Sequence, residues 1–143
     1  MTETNTLVVE RDLPHAPDKV WRALTQQPLI EDWLMTNDFK PEVGHRFTLS
    51  TTPQPHWNGQ IDCEVLTVEP PRRLAYRWDA SGAEAEDGLK TVVTFTLDPS
   101  EVGTRLRMEQ TGFRPQDQRN FMGANYGWQK FLGALEALLA TLN

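Results

Sequence analysis

Side chains able to act on a substrate are sparse in this chain, and none falls into a catalytic spacing. His15, His45 and His56 lie on apparent loops or turn edges, with no H-x-x-x-H pair and no cysteine at ligand spacing, so no metal site is expected. No G-x-S-x-G elbow, phosphate-binding loop or dinucleotide glycine fingerprint is present; no cofactor and no catalytic residue is assigned. Cys63 stands mid-strand with nothing nearby in sequence to lower its pKa, which fits a buried, inert thiol better than a nucleophile. Asp62 and Glu64 flank it and share a face with Leu66 and Val68. Paired carboxylates can do acid–base work, but Ile61, Cys63 and Val65 supply the apolar side of this strand, leaving the acids on a solvated outer face. Two polar residues alternate onto apolar faces: Arg11 with Leu7, Val9 and Leu13, and Gln110 with Leu106 and Met108. A charge in Arg11's position must reach solvent at the strand's end, pair with an acid, or face a polar feature of a cavity. Gln110 could sit at a cavity mouth. An inward-facing polar pair of this kind is what cyclase- or hydrolase-type chemistry would need.

The aromatic inventory is richer: Trp33, Phe47, Trp57, Tyr76, Trp78, Phe95, Trp128 and Phe131. Five tryptophans in 143 residues exceed what packing alone usually requires, and apolar pockets are lined this way. The alternative is that each is a core or surface staple. Trp57, in "TPQPHWNG" on an expected loop tip, is placed to guard a cavity mouth or a partner-binding spot.

The elements that must position these rings can be read from periodicity. "TLVVERDL" (6–13) alternates as a strand. "PHAPDKVWRAL" follows as a helix, with Pro17 at its first position, Asp18 at its positive end and an apolar stripe of Val20, Trp21 and Leu24. Pro28 stops that helix and opens a second, "PLIEDWL" (28–34). Strands are then predicted in "GHRFTLSTT" (44–52), in "WNGQIDCEVLTVEP" (57–70) after the Asn58-Gly59 turn signal, and in "RRLAYRW", "LKTVVTFTL" and "GTRLRMEQTGF". Consecutive strands with short turns must be antiparallel. An α+β domain with a six-stranded antiparallel sheet follows, spanning residues 1–143, with one greasy face that the terminal helix must cover.

In that helix, "ANYGWQKFLGALEALLATLN", a 100° step places Phe121, Ala124, Trp128, Phe131, Leu132, Leu135, Leu138, Leu139 and Leu142 on an arc of roughly 120°. Trp128 lies near its centre, and Tyr126 falls nearly opposite. Gly123, Gly127 and Gly133 each cost about 1 kcal/mol relative to alanine and could serve close backbone approach, a bend, or room for a ligand.

A net charge of −6 and interspersed arginines argue against nucleic acid or an anionic membrane as partner. The start "MTETNTLVVERD" lacks a basic, apolar leader, and one cysteine cannot form an internal disulfide, so a cytoplasmic location is expected.

"VVERDLPHAPDKVWRALTQQPLIEDWL", "GHRF", "VEPPRRLAYRW" and "GWQKFLGALEALLATL", in this order, resemble START-like proteins of the SRPBCC superfamily. More narrowly they resemble bacterial homologues of the C-terminal domain of the heat-shock-protein ATPase activator. The resemblance implies a helix-grip fold, a curved antiparallel sheet around a long C-terminal helix with a cavity between them. In the superfamily that cavity takes lipids, sterols, polyketides or other apolar molecules. The implied function is non-enzymatic binding of a small apolar or amphipathic molecule by Trp33, Phe47, Leu49, Tyr76, Trp78, Phe95, Met108, Trp128 and Phe131, with Arg11, Gln110 or Tyr76 orienting a polar end. The rival is a protein-interaction module with a chaperone or a second copy as partner, recognised through Trp57 and the acidic 79–88 loop.

Overall fold

The computed structural model describes residues 5–53, 58–80 and 88–142. Trp57, His56 and residues 81–87 of the acidic loop lie outside that set, as does the role expected of them. Strand β1 (Asn5–Leu13) leads into helices α1 (Pro17–Thr25) and α2 (Gln27–Trp33), each with a proline in its first turn. Strands β2 (Thr36–Asn37), β3 (Arg46–Ser50), β4 (Gln60–Glu69), β5 (Arg73–Ala80), β6 (Lys90–Pro99) and β7 (Thr104–Phe113) follow. A 3-10 turn at Pro115–Asp117 starts the terminal helix α3 (Gln118–Thr141).

The strands form one antiparallel sheet in the order β1-β7-β6-β5-β4-β3-β2. Seven strands replace the expected six, because β2 is only two residues long and cannot display a period of two. Its place is fixed by Asn37, whose amide donates to the Met35 carbonyl and accepts from the Phe39 backbone N–H, each at 3.0 Å. Gly59, just before β4, has φ +78°, and a Cβ there would lie 2.4 Å from the Thr51 carbonyl oxygen.

Two irregularities change which side chains reach the core. A bulge at Leu66 shifts the β4–β5 register between Val65 and Thr67, so Val68 turns inward and packs against the core, correcting the outer-face placement with Asp62, Glu64 and Leu66. In β7, Gly112 (φ +107°) breaks the alternation so that Phe113 is buried where the strand would otherwise present it outward.

The inner face carries Leu7, Val9, Leu106, Met108, Val93 and Phe95, with further apolar residues of β3, β4 and β5, and α3 covers it. Trp128, Leu132, Leu135 and Leu139 are buried, while Phe121, Ala124, Phe131, Leu138 and Leu142 pack at the flanks; the predicted arc is the buried one. Tyr126 is 72% exposed on the opposite side. No described helix is long and apolar enough to cross a membrane.

Candidate functional site

Three elements converge under α3: the inner face of β3, β5, β6 and β7, the end of α2, and the segment after β2. They bring together eight aromatic rings in unbroken contact. Trp128 of α3 stands 5.2 Å from Trp78, 5.8 Å from Phe95 and 5.7 Å from Phe131, centroid to centroid. Tyr76 lies 6.0 Å from Phe95 and 5.2 Å from Phe47. Trp33 meets the edge of Phe95 at 6.2 Å. Most of these contacts are edge-to-face or tilted, the arrangement ring quadrupoles favour. Leu49 and Met108 are fully buried, Leu49 beside Ile61 across β3–β4 and Met108 beside Phe95 across β6–β7.

The cluster is threaded by one polar chain. The Trp128 indole N–H donates to Gln110 Oε1 at 2.8 Å, Gln110 Nε2 donates to Thr91 Oγ1 at 2.9 Å, and Thr91 Oγ1 donates to the Trp78 carbonyl at 2.7 Å. Gln110 is therefore not at a mouth; it is 1% exposed and committed at both ends of its amide. Burial of such groups is costly unless they are paired, and here they are. The Trp33 indole N–H is likewise satisfied, by the Ala23 carbonyl at 2.8 Å. Tyr76 differs. It is 4% exposed, its contacts are with rings, and its hydroxyl bonds to none of the described residues. Among the described residues no fully buried side-chain oxygen or nitrogen goes unpaired, so the exposed slivers of Tyr76 and of Trp78, whose indole N–H likewise bonds to none of the described residues, include these two donors. Burial, and secondarily the neighbouring Cys63, pushes that hydroxyl's pKa well above the ordinary tyrosine value.

Arg11 takes the second of the courses open to it. On edge strand β1 it turns toward α3, where its guanidinium pairs with Glu136 at 3.3 Å and bonds the Gln129 side chain. It stands level with Leu106, whereas Gln110 stands level with Leu7, four residues away along the strands, or roughly 13 Å. The two expected polar residues do not meet.

Cys63 is buried, and desolvation followed by the charges of Asp79, Asp62 and Asp38 pushes its thiol far up, as an inert cysteine requires. Asp62 and Glu64 face outward beside a shallow groove of about 350 Å³ on the convex side of the sheet. There Arg46 pairs with Glu64 at 3.5 Å and Arg77 with Asp79 at 3.2 Å. Among the described residues no three potential metal ligands come together. His15 contacts Lys19 at 3.1 Å, and His45 contacts the Asp38 carbonyl at 2.9 Å.

Two members of the cluster escaped the sequence reading. Phe39, 5.1 Å from Phe47 and 6.3 Å from Tyr76, lies in "TNDFKPEVG", a stretch without periodicity. Thr91 carried a usable signal, because it shares the parity of Val93, Phe95 and Leu97.

Protein MLL2253 from Mesorhizobium loti has a similar crystal structure, with 52% sequence identity over 97% of this chain and 99% of that one and a TM-score of 0.88. Protein BH1534 from Bacillus halodurans is 26% identical, covering 97% of this chain and 99% of that one, with a TM-score of 0.78. DynU16, a protein of the dynemicin biosynthetic locus, is 25% identical over 95% of this chain and 47% of its own, with a TM-score of 0.79. No curated protein matches the sequence. The model of the family described as activator of Hsp90 ATPase homolog 1-like protein matches residues 14–140, nearly the whole chain, and the protein belongs to that family.

Proposed function

We propose that this chain is a binding domain that takes a small apolar or amphipathic molecule between the sheet and α3, acting as one unit in the cytoplasm. The observation that carries the reading is the contiguous ring cluster of Phe47, Tyr76, Trp78, Phe95 and Trp128, ordered internally by the Gln110 relay. A core needs apolar volume, which leucine and valine supply; rings crossed by one satisfied polar chain and bordered by one unpaired hydroxyl also suit a guest. Binding would be driven by burial of the guest's apolar surface, at roughly 25 cal/mol per Å². The similarity to DynU16, from a locus for a biosynthetic product, agrees with a small-molecule role. Rings on α2 and α3 would part from those on the sheet to admit the guest. Native mass spectrometry with a panel of neutral apolar and amphipathic compounds should reveal one-to-one adducts. Absence of any adduct across the panel sinks the reading.

A protein-binding role related to the heat-shock ATPase activators is the second reading. It is favoured by Met122 and Tyr126, which lie one helical turn apart on α3 and are 65% and 72% exposed. Under this reading the double substitution Met122→Ser/Tyr126→Ser weakens binding to a purified chaperone ATPase in a sedimentation assay, and unchanged sedimentation speaks against it.

A further inference from the structure

We infer that the outer face of the first turns of α3 docks an acidic peptide segment of a partner protein. Met122 and Tyr126 hold an apolar side chain of that segment, and Arg119 and Lys130 take carboxylates on either side of it. This rests on the second reading above and names the chemistry of its partner.

The face lies opposite the core. A 100° step from Arg119 places Tyr126 and Lys130 within about 20° of it, on the side of the helix away from Trp128. Arg119, Met122, Tyr126 and Lys130 are all exposed. The other exposed large apolar residues described, Val8, Val43, Leu66 and Val102, stand singly on separate strands and turns, as is ordinary for a surface. Met122 and Tyr126 are four residues apart on one helix, so their side chains are neighbours. A Cβ at Gly123, on the same side of the helix, would meet nothing within 4 Å, which leaves the Tyr126 ring clear there.

The charges of this face select its occupant. From 118 to 135 the helix carries no carboxylate. Arg119 stands in the first turn, where the helix dipole disfavours a cation, and no acid of that turn offsets it. Arg46, Arg73, Arg77, Arg105 and Arg107 of the sheet each meet a carboxylate at 3.9 Å or less. Among the described residues Arg119 and Lys130 make no ion pair, so both charges are unspent. They lie roughly 16 Å apart along the axis, with Tyr126 between them. In a chain of net charge −6 this is a local exception, so a carboxylate-bearing segment is steered here and repelled elsewhere. A second copy laid on this face sets cation against cation in either direction, and Glu136, the acid of the helix, is held by Arg11 on its flank. Two cations are too few to hold the chain on an anionic membrane.

Fluorescence anisotropy with labelled peptides and the full chain tests this. The acidic probe is Glu-Glu-Ser-Leu-Phe-Ser-Glu-Glu, whose inner carboxylates lie roughly 16 Å apart when extended. It should bind about 10-fold more tightly than the same peptide with lysine for glutamate, and than the same peptide with glycine for leucine and phenylalanine. Preference over the basic peptide runs against the chain's overall charge and therefore reports the patch. Arg119→Glu/Lys130→Glu should weaken the acidic peptide about 10-fold and reverse that preference. Met122→Ser/Tyr126→Ser should weaken it about 5-fold and remove its advantage over the glycine peptide. A retained cooperative melting transition shows that both variants are folded. Equal binding of the acidic and basic peptides, or indifference to Arg119→Glu/Lys130→Glu, overturns the acidic partner and leaves the second reading to its own sedimentation assay. Failure of every peptide to bind overturns the docking face. Capture of the wild type but not the charge-reversed protein by phosphatidylserine vesicles, or a wild-type dimer that either double substitution dissociates, overturns it in favour of a membrane or a second copy.

Discussion

At the scale of single residues the site is organised by Gln110, a polar side chain in the midst of leucine, methionine and tryptophan. Its parity with Leu106 and Met108 was legible in the sequence, since alternation along a strand is a local property. Its partners were not, because Thr91 is on a neighbouring strand and Trp128 on a helix, and only the assembled sheet brings them together. Arg11 shows the same limit: the strand pattern required an outlet for its charge, and Glu136, 125 positions later, supplies it. The relay makes a quantitative prediction. Gln110→Leu orphans the Trp128 indole N–H and should cost about 1–3 kcal/mol in urea unfolding. In the double variant Gln110→Leu/Trp128→Phe the orphan is gone, so the two losses should sum to more than the double variant's cost. Strict additivity contradicts the relay.

At the scale of elements, α3 was the most legible part of the chain. All nine residues of its predicted arc are buried or packed at the flank of the core, because a 3.6-residue repeat sustained over several turns leaves little ambiguity. The three helix glycines were ambiguous from sequence, and the structure narrows them. A Cβ at Gly123 or Gly133 would meet nothing within 4 Å, and at Gly127 only Phe131 Cε2 at 3.8 Å, so close backbone approach is not their role. Gly123→Ala and Gly133→Ala should therefore each stabilise by about 0.5–1 kcal/mol and raise the melting temperature by a few degrees; a fall in melting temperature contradicts this. The start of α3 is secured by Asp117, buried and bonded by the Arg114 side chain at 2.8 and 2.9 Å and by its backbone N–H at 2.8 Å. Hydrogen bonds from Arg114 hold its carboxyl below the ordinary carboxylate value. The stabilisation is thus complete above the unfolded value of about 3.9 and is lost as pH falls through the lower folded value. Acid unfolding of the wild type should show this loss, and Asp117→Asn should be less stable at neutral pH with a shallower acid dependence. Matching acid profiles of the two proteins would count against it. Phe39 was illegible for the opposite reason to α3: two residues of β2 and an Asn37-centred turn carry no period.

At the scale of the whole molecule, order and turn length were enough to give an antiparallel sheet with one covered face. They could not give its strand order, in which β1 pairs with β7 and the chain's first strand flanks its last. That pairing aligns Met108 with both Val9 and Phe95, completing the floor under Trp128. Whether the ring cluster under α3 works as a receptor is tested most directly by nitrogen-edited NMR during titration with 2-acetylnaphthalene. The account predicts saturable shifts at the indole N–H signals of Trp128 and Trp33 and at the amides of residues 74–78 and 93–97. Shifts confined to the exposed side of α3 around Tyr126 or to the convex groove by Arg46, with the Trp128 indole unmoved at saturation, would contradict it.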